Sequence, residues 1–582
     1  MSSDSRARAV LRAARNAPAA ASVAWRHVGR DRDHATLIAL RALPAAARGR
    51  LADRSADRTS AGAALALAAG GRRDEAVSAV RAAAVDASPR TLRRLVSTAV
   101  ALDATDLADE LLRRLPADDS GRARLSALVA ARIGDLTRAE REAADAGWRA
   151  GRLRRRIAGE LQVLAPSDPS APPADGYEPV AGRVLHLVTN ALPEATAGYA
   201  TRTHGIVLAQ RRLGLDAQVV TRLGFPVTKG SLAAARLVEL DGVPYHRLLP
   251  VGWIPAREDR ALARDIEATA ALVERLRPAV LHAHSKHTNA QVALAVGRRY
   301  GIPVVYEVRG FLEETWRSRG HSAGTDVYRL AREAETYCMR QADVVVTLAD
   351  VMRDEIVSRG IARTSVEVVP NAVDQRFLEP APDPAPLRHR LGIPDGQVTV
   401  GLVTTLNEYE GVDTLVDAVA LLRDKGAPVH LLVVGAGPAA AALHAQVAER
   451  GVTDAATFTG RVPFSEVAAY HAAIDLFCVP RADLPVCRLV TPLKPLEAMA
   501  TGRPVVASDL PPLREIVDPG HTGALAAPGD AVALAGAIEP LLYDSDDRFR
   551  MGAAARHWVA EHRTWATAAV RYREIYDRLG DS

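Results

Sequence analysis

Short, mainly apolar runs separated by stretches of helical length constrain this chain more than any other feature. RVLHLVT (183–189), AQVVT (217–221), AVLHAH (279–284), PVVYEV (303–308) and ADVVVTL (342–348) form one series. A second begins near residue 397 with VTVGLVT, VHLLVVGAGP, ATFTG, DLFCVP and PVVAS. Runs without polar alternation belong to strands covered on both faces, and the intervening helices supply that cover. Each series therefore predicts a parallel sheet between helices. The expected fold class is α/β, with doubly wound domains over 181–375 and 397–545 joined by an interdomain linker at 376–396. Ligands of such sheets sit beyond the carboxyl ends of the strands, so the cleft between the domains is the expected site.

The chain before residue 181 has a different texture. In residues 61–163, GGRRDEA, ATDLA and GDLTRA end on Ala76, Ala108 and Ala139, 32 and 31 residues apart. Small residues at that period let neighbouring helices approach closely, and the pattern is similar to tetratricopeptide-type repeats without their aromatic signature. A partner-binding surface is one reading, and a plain helical bundle in an Ala-rich chain is the other. LAPSDPSAPPADGYE sets a linker over 164–180. Residues 1–60 read as a basic helical or partly disordered segment, since the first fifty carry ten Arg against Asp4, Asp31 and Asp33. With Trp25, such a segment suits an anionic membrane surface or a protein contact, and a solvated tail explains it equally. No nucleic-acid motif accompanies it, so nucleic acid is not an expected partner. Residues 546–582 read as a C-terminal helical segment.

At 582 residues and 48% hydrophobic content the chain can bury several cores. Cys338, Cys478 and Cys487 are too few for a disulfide framework, which favours a reducing compartment. The N-terminus lacks the apolar core of a secretory signal, and no apolar run reaches the roughly 18 residues of a membrane span. The expected location is the cytoplasm, with a peripheral place at the inner face of the membrane as an extension of the basic N-terminus.

The run VTPLKPLEAMATGRPVVAS (490–508) gathers a helix start, a cation and a carboxylate before a buried strand. Thr491 can cap the helix, Pro492 fits its first position, and free amides there favour a phosphate. Lys is scarce, occurring only at 229, 286, 425 and 494. Lys494 would face a diphosphate, and Glu497, one turn on, would accept hydrogen bonds from a ribose diol. An ordinary amphipathic helix with a surface Lys and Glu gives the same spacing.

Several ordered motifs now resemble one family. VVPNAVD (368–374), LLVVGAGP (431–438), FTGRVPFSEVAAYHAAIDLFCVP (458–480) and the LEAMATGRPVVAS run are similar to the GT-B glycosyltransferases, and among them to the retaining family 4 enzymes, over about residues 180–575. EVRGFLEETW and NEYEGVDTL look like a subgroup with Tyr-Glu-Gly where most relatives have Lys-Gly. The resemblance implies two Rossmann-like domains and transfer of a sugar from a nucleoside diphosphate to an acceptor hydroxyl with retention at the anomeric carbon. It implies ribose binding by Glu497, base binding near Arg461 and Val462, and close passage of the diphosphate at Gly198, where glycine permits positive φ.

The family's usual Arg and Lys on the first loop of the second domain fall at Thr405 and Glu410, its earlier paired Glu at Leu489, and a frequent His at Arg309. Arg481, Arg488 and Lys494 are the candidates for the missing cations, with salt bridges to Asp483 or Asp475 as the alternative for the two arginines. Arg309 is counted with these catalytic candidates. Glu307, with His284 and Arg202, is a candidate acceptor or sugar contact, and an interdomain ion pair is the alternative for Glu307 with Arg309. His282 and His284 share one strand face, yet neither they nor His287 complete a metal set. Asp544 and Asp546 precede a helix and read as caps. No metal and no cofactor beyond the nucleotide sugar is expected.

The resulting expectation is a retaining, metal-independent hexosyltransferase acting in cell-envelope glycan or glycolipid synthesis on a glycan or lipid-linked acceptor. Two alternatives stand beside it: a noncatalytic adaptor with degenerate transferase domains, motivated by Thr405 and Glu410, and a sugar-nucleotide epimerase on the same fold.

Overall fold

The computed structural model describes residues 3–30, 32–166, 176–318 and 320–580. Among them, the first sheet has strands β1 (Val180–Val188), β2 (Asp216–Thr221), β3 (Leu237–Leu240), β4 (Val243–Arg247), β5 (Pro278–His284), β6 (Val304–Val308), β7 (Val344–Thr347) and β8 (Val366–Val368). Their order is β3-β4-β2-β1-β5-β6-β7-β8, parallel except for β3 against β4 at the edge. The second sheet has β9 (Val398–Val403), β10 (Val429–Val434), β11 (Ala456–Gly460), β12 (Leu476–Val479), β13 (Val505–Ser508) and β14 (Gly523–Ala526) in the order β11-β10-β9-β12-β13-β14. Every residue of β9 and β10 is buried, as strands covered on both faces require.

Register puts the polar residues of the first sheet together. His186 lies opposite His282, and His284 opposite Glu307, so β1, β5 and β6 deliver four polar side chains near their carboxyl ends.

Three segments are placed here more closely than their sequence reading placed them. The 376–396 linker packs into the second domain, where Phe377, Leu387 and Ile393 join its core. The C-terminal segment does not end beside the second domain. Its last helix, Trp565–Gly580, crosses back and packs Trp565, Tyr572 and Tyr576 against Val184, Ile206, Val280 and Val305 of the first sheet domain. Gly205 permits this approach, since a Cβ there would stand 2.4 Å from the Trp565 indole nitrogen. Third, residues 3–30 form a docked helix and not a tail: the buried Asn16 amide donates to the carbonyls of Leu232 (2.8 Å) and Ala234 (3.1 Å).

Between that helix and β1, helix pairs 61–69 with 73–83, 89–101 with 105–113, and 122–133 with 136–145 stack side by side. Ala76, Ala108 and Ala139 are each fully buried on the second helix of a pair, where a larger side chain would hold the helices apart. The stack docks on the first sheet domain through Thr137 N–H to Asp326 (2.7 Å) and Gln291 to the Val163 carbonyl (2.9 Å). The expected linker lies mostly at 167–175, outside the described residues. Among the described residues, no helix is long and apolar enough to cross a membrane.

Candidate functional site

A cleft of about 530 Å³ opens between the two domains at the carboxyl ends of both sheets. From the first domain it is lined by the loop Thr196–Tyr199 and by Arg202, Arg309 and Asn371. From the second it is lined by the ends of β9, β10 and β12 and by Arg461, Val462, Phe464, Arg481 and the stretch Val490–Pro495 with Glu497. Among the described residues, five cations and two carboxylates face it, so an anionic ligand meets an excess of positive charge.

Four of these five cations are held by specific carboxylates. Arg481, at the end of β12 and only 9% exposed, lies 3.2 Å from Glu410 and donates to the Val490 carbonyl at 3.0 Å. Burial works against its charge, but Glu410 outweighs burial and the guanidinium stays firmly protonated. Glu410 occupies the position where the family resemblance placed a lysine, and its pairing with Arg481 keeps the two close to neutral together. Lys494 reaches Glu497 at 3.1 Å and remains partly exposed. Glu497 is buried, and burial alone would raise its pKa. Lys494 beside it and His471, 3.6 Å away, outweigh that and hold it down to about 2.

Several expectations need correction. Arg488 is not among the cleft-lining residues; it lies 59% exposed and forms a bidentate pair with Asp483, because its short helix Pro485–Leu489 turns it to solvent. The helix carrying Lys494 and Glu497 begins at Lys494, with Leu493 as its N-cap. Thr491 therefore does not cap it. The residue lines the cleft, but its hydroxyl is buried without a hydrogen-bond partner, and its carbonyl accepts from Asn371 at 2.9 Å. Gly198 faces the cleft but starts a helix and has no positive φ; its close neighbour is Leu493 of the other domain, 3.2 Å from where a Cβ would stand. Arg461 and Val462 lie on the wall as expected. Asp544 caps the helix that follows by accepting from Asp547 N–H at 2.8 Å.

Arg202 and Arg309 reach the cleft wall, whereas Glu307 and His284 lie buried behind it and do not line it. Glu307 is fully buried and accepts from Arg309 Nε (2.6 Å), Arg202 Nε (2.9 Å) and the Tyr572 hydroxyl (2.6 Å). Burial opposes its charge, but the two guanidinium groups prevail and hold it well below the usual carboxylate range. Glu307 and Arg309 thus pair within one domain, and Tyr572 supplies the contact from the far end of the chain. The Arg309 guanidinium also donates to the Tyr199 carbonyl (2.8 Å) and the Thr203 hydroxyl (2.8 Å) and contacts His284. His186, His282 and His284 stack beneath it with ring nitrogens within 4.8 Å of one another, the metal-like cluster found among the described residues. His287 stands apart, paired with Glu335.

Sequence reasoning missed His186, Gln210, Asn371, His471, Tyr572 and Tyr576. Asn371 and His471 sat inside quoted motifs, and His186 was an unexplained histidine in a buried strand. The two tyrosines carried no local signal.

Two family models match the halves that build this cleft: "Glycosyl transferase 4-like domain" over residues 197–372 and "Glycosyl transferases group 1" over 397–544. A GDP-mannose-dependent alpha-(1-6)-phosphatidylinositol monomannoside mannosyltransferase of Mycolicibacterium smegmatis is 33% identical over 263 residues, 44% of this chain and 68% of the relative. A 2-deoxystreptamine glucosyltransferase of Streptomyces kanamyceticus is 32% identical over 42% of this chain and 64% of its own. Among solved structures, a sucrose-phosphate synthase from Thermosynechococcus elongatus superposes with a TM-score of 0.57 at 22% identity, covering 68% of this chain and 99% of that one. Anabaena HepE solved with UDP-glucose gives 0.53 at 18% identity over 68% and 99%, and both show a shared GT-B fold. With both halves of the cleft matched and two thirds of a curated relative covered, the chain belongs to the glycosyl transferases group 1 and is a glycosyltransferase.

Proposed function

We propose that the chain is a retaining, metal-independent glycosyltransferase of the Tyr-Glu-Gly subgroup, which moves a sugar from a nucleoside diphosphate to the hydroxyl of a glycan or lipid-linked acceptor. The observation that carries this reading is Glu497, kept ionised at the cleft wall by Lys494 and His471. An ionised carboxylate that accepts but cannot donate suits the two hydroxyls of a ribose. The diphosphate then falls beside Lys494, Arg481 and Thr491, and the base toward Arg461 and Val462.

In the transfer step the bond from the anomeric carbon to the phosphate oxygen breaks, the acceptor oxygen bonds that carbon on the same face, and the acceptor's hydroxyl proton passes to the departing phosphate oxygen. Negative charge grows on the departing diphosphate. Arg481 and Lys494 are fixed where that charge appears, so they favour the transition state over the ground state. Arg309 and Arg202 face the reacting sugar from the opposite wall. These cations supply the charge neutralisation that a metal provides in other transferases. Glu410 motivated the reading of a degenerate adaptor, but its pairing with Arg481 makes it a counter-ion within an intact site.

The test is a binding panel of GDP-mannose, UDP-glucose, UDP-galactose and ADP-glucose. GDP-mannose leads it because a similar mycobacterial enzyme depends on that donor. Saturable binding of one donor, lost in Glu497→Ala, supports the transferase; no binding of any donor supports the adaptor. Product formed without acceptor supports the epimerase. Chelation by EDTA should leave turnover unchanged, and the product should keep the donor's anomeric configuration by NMR.

We also place the basic N-terminal helix at an anionic membrane surface. Val10, Leu11 and Trp25 are exposed on Ser3–Arg30, opposite the face that docks Asn16 and Ala19.

A further inference from the structure

The buried polar cluster behind Arg309 can be read atom by atom, because one of its members can only donate. A guanidinium has no acceptor, so His284 Nδ1, in contact with Arg309 Nη2, must accept. Burial keeps this imidazole neutral, which leaves its proton on Nε2. That nitrogen lies 2.9 Å from His186 Nδ1, which must accept in turn. His186 is also neutral by burial, so its Nε2 carries the proton and donates to Gln210 Oε1 at 2.8 Å. The orientation of the Gln210 amide is thereby fixed. Its Nε2 donates to the Tyr576 hydroxyl at 3.0 Å. The Tyr576 hydrogen then goes to His282 Nδ1, 2.6 Å away. His282, neutral for the same reason, has its proton on Nε2, which stands 3.2 Å from Glu307 Oε2 as an electrostatic contact without hydrogen-bond geometry. Glu307 Oε1 accepts from Arg309 Nε at 2.6 Å, so the relay starts at Arg309 and ends beside that residue's own carboxylate.

Each hydrogen-bonded link has one direction, and the relay runs from the side chain that faces the cleft to an imidazole beside that side chain's carboxylate. The three imidazoles are spaced as metal ligands would be. In this relay every ring lone pair already has a donor, and two buried guanidinium groups stand beside them, so the cluster serves orientation and not ligation. Tyr576 is the one member supplied by the final helix, and it both accepts and donates.

We propose that His284, His186, Gln210, Tyr576 and His282 form a one-way hydrogen-bond relay running from Arg309, through which the C-terminal helix fixes the Arg309 guanidinium at the cleft. Tyr576 is then a positioning residue for sugar transfer, an inference that rests on the reading that Arg309 acts in that reaction. Tyr576→Phe keeps the ring and removes the hydroxyl that links Gln210 to His282. Turnover is followed as GDP or UDP release from the donor identified by the panel. The variant should lower kcat roughly 10- to 100-fold, as sub-ångström misplacement of a reacting group does, with the donor KM held within about twofold. Unchanged kcat in Tyr576→Phe alongside loss in Arg309→Lys overturns the positioning role alone. Unchanged kcat in both overturns the role of Arg309 and the inference with it.

A second measurement needs no substrate. In 15N-histidine-labelled protein at pH 7, with signals assigned through H186Q, H282Q and H284Q, all three imidazoles should read as neutral with the proton on Nε2. A proton on Nδ1 of His284 or His186, a doubly protonated ring, or the ring shifts of a bound metal would overturn the relay.

Discussion

The two walls of the cleft manage charge in opposite ways. In the first domain, Glu307 is fully buried and its partners Arg202 and Arg309 spend their donors on protein atoms. In the second domain, Arg481 and Lys494 each lean on one carboxylate, and Lys494 keeps a third of its side chain in solvent. A saturated, dry cluster costs much to disturb and holds a shape. A rim of simple pairs can exchange a carboxylate for a phosphate. The first wall is built as a scaffold, the second as a receptor for an anion.

The comparison breaks most sharply at Glu307. Glu307→Gln leaves two buried guanidinium groups short of counter-charge, and removing one partner of a buried pair costs about 3–5 kcal/mol. An unfolding free energy lowered by that amount in urea titration is expected, and an unchanged midpoint would mean the first wall is not a charge-balanced scaffold.

Next comes Lys494→Met, which acts on binding through its neighbour. Glu497 loses its nearest cation while staying buried, so its pKa rises from about 2 toward and beyond the ordinary carboxylate value. Donor affinity in the variant should then weaken as pH falls from 8 to 5, while the wild-type affinity stays flat there. The same shift bears on stability. A depressed carboxylate pKa contributes stability above the unfolded value near 4.5 that fades as pH drops toward 2, and the variant loses that contribution. Equal pH profiles for wild type and variant would contradict the coupling.

A smaller effect is expected from V10S/L11S/W25S, which should weaken sedimentation with anionic liposomes and leave turnover on a soluble acceptor intact. Unchanged sedimentation removes the membrane placement. Smallest of all is Arg488→Ala, whose exposed pair with Asp483 lies off the cleft. It should match wild type in turnover, and a large loss would restore Arg488 to the site.

The same division explains what the sequence disclosed. Strands such as β9 and β10 were legible because burial on both faces leaves an unbroken apolar run, and the Lys494–Glu497 turn was legible because its partners are three residues apart. The short edge strand β3 and its neighbour β4 were not, since β3 is brief and half exposed and β4 is a five-residue run broken by Pro244 and two basic residues. Glu410 and Arg481 are 71 residues apart, so a charge that looked like a lost cation is intelligible only beside its partner. Tyr572 and Glu307 are 265 residues apart, and nothing local in an amphipathic C-terminal helix says which domain it will cover. The first wall was the harder to foresee because nearly all its partners are distant in sequence.

The contrast is tested most directly by calorimetric titration of GDP and UDP into wild type and Arg481→Ala. The account predicts that one nucleotide binds the wild type saturably and that its affinity falls at least about tenfold in the variant, since a charge-assisted hydrogen bond to phosphate is worth about 1.5–3 kcal/mol. Equal affinity in the two proteins would contradict it, because the anion would then be held by something other than the rim of the second domain.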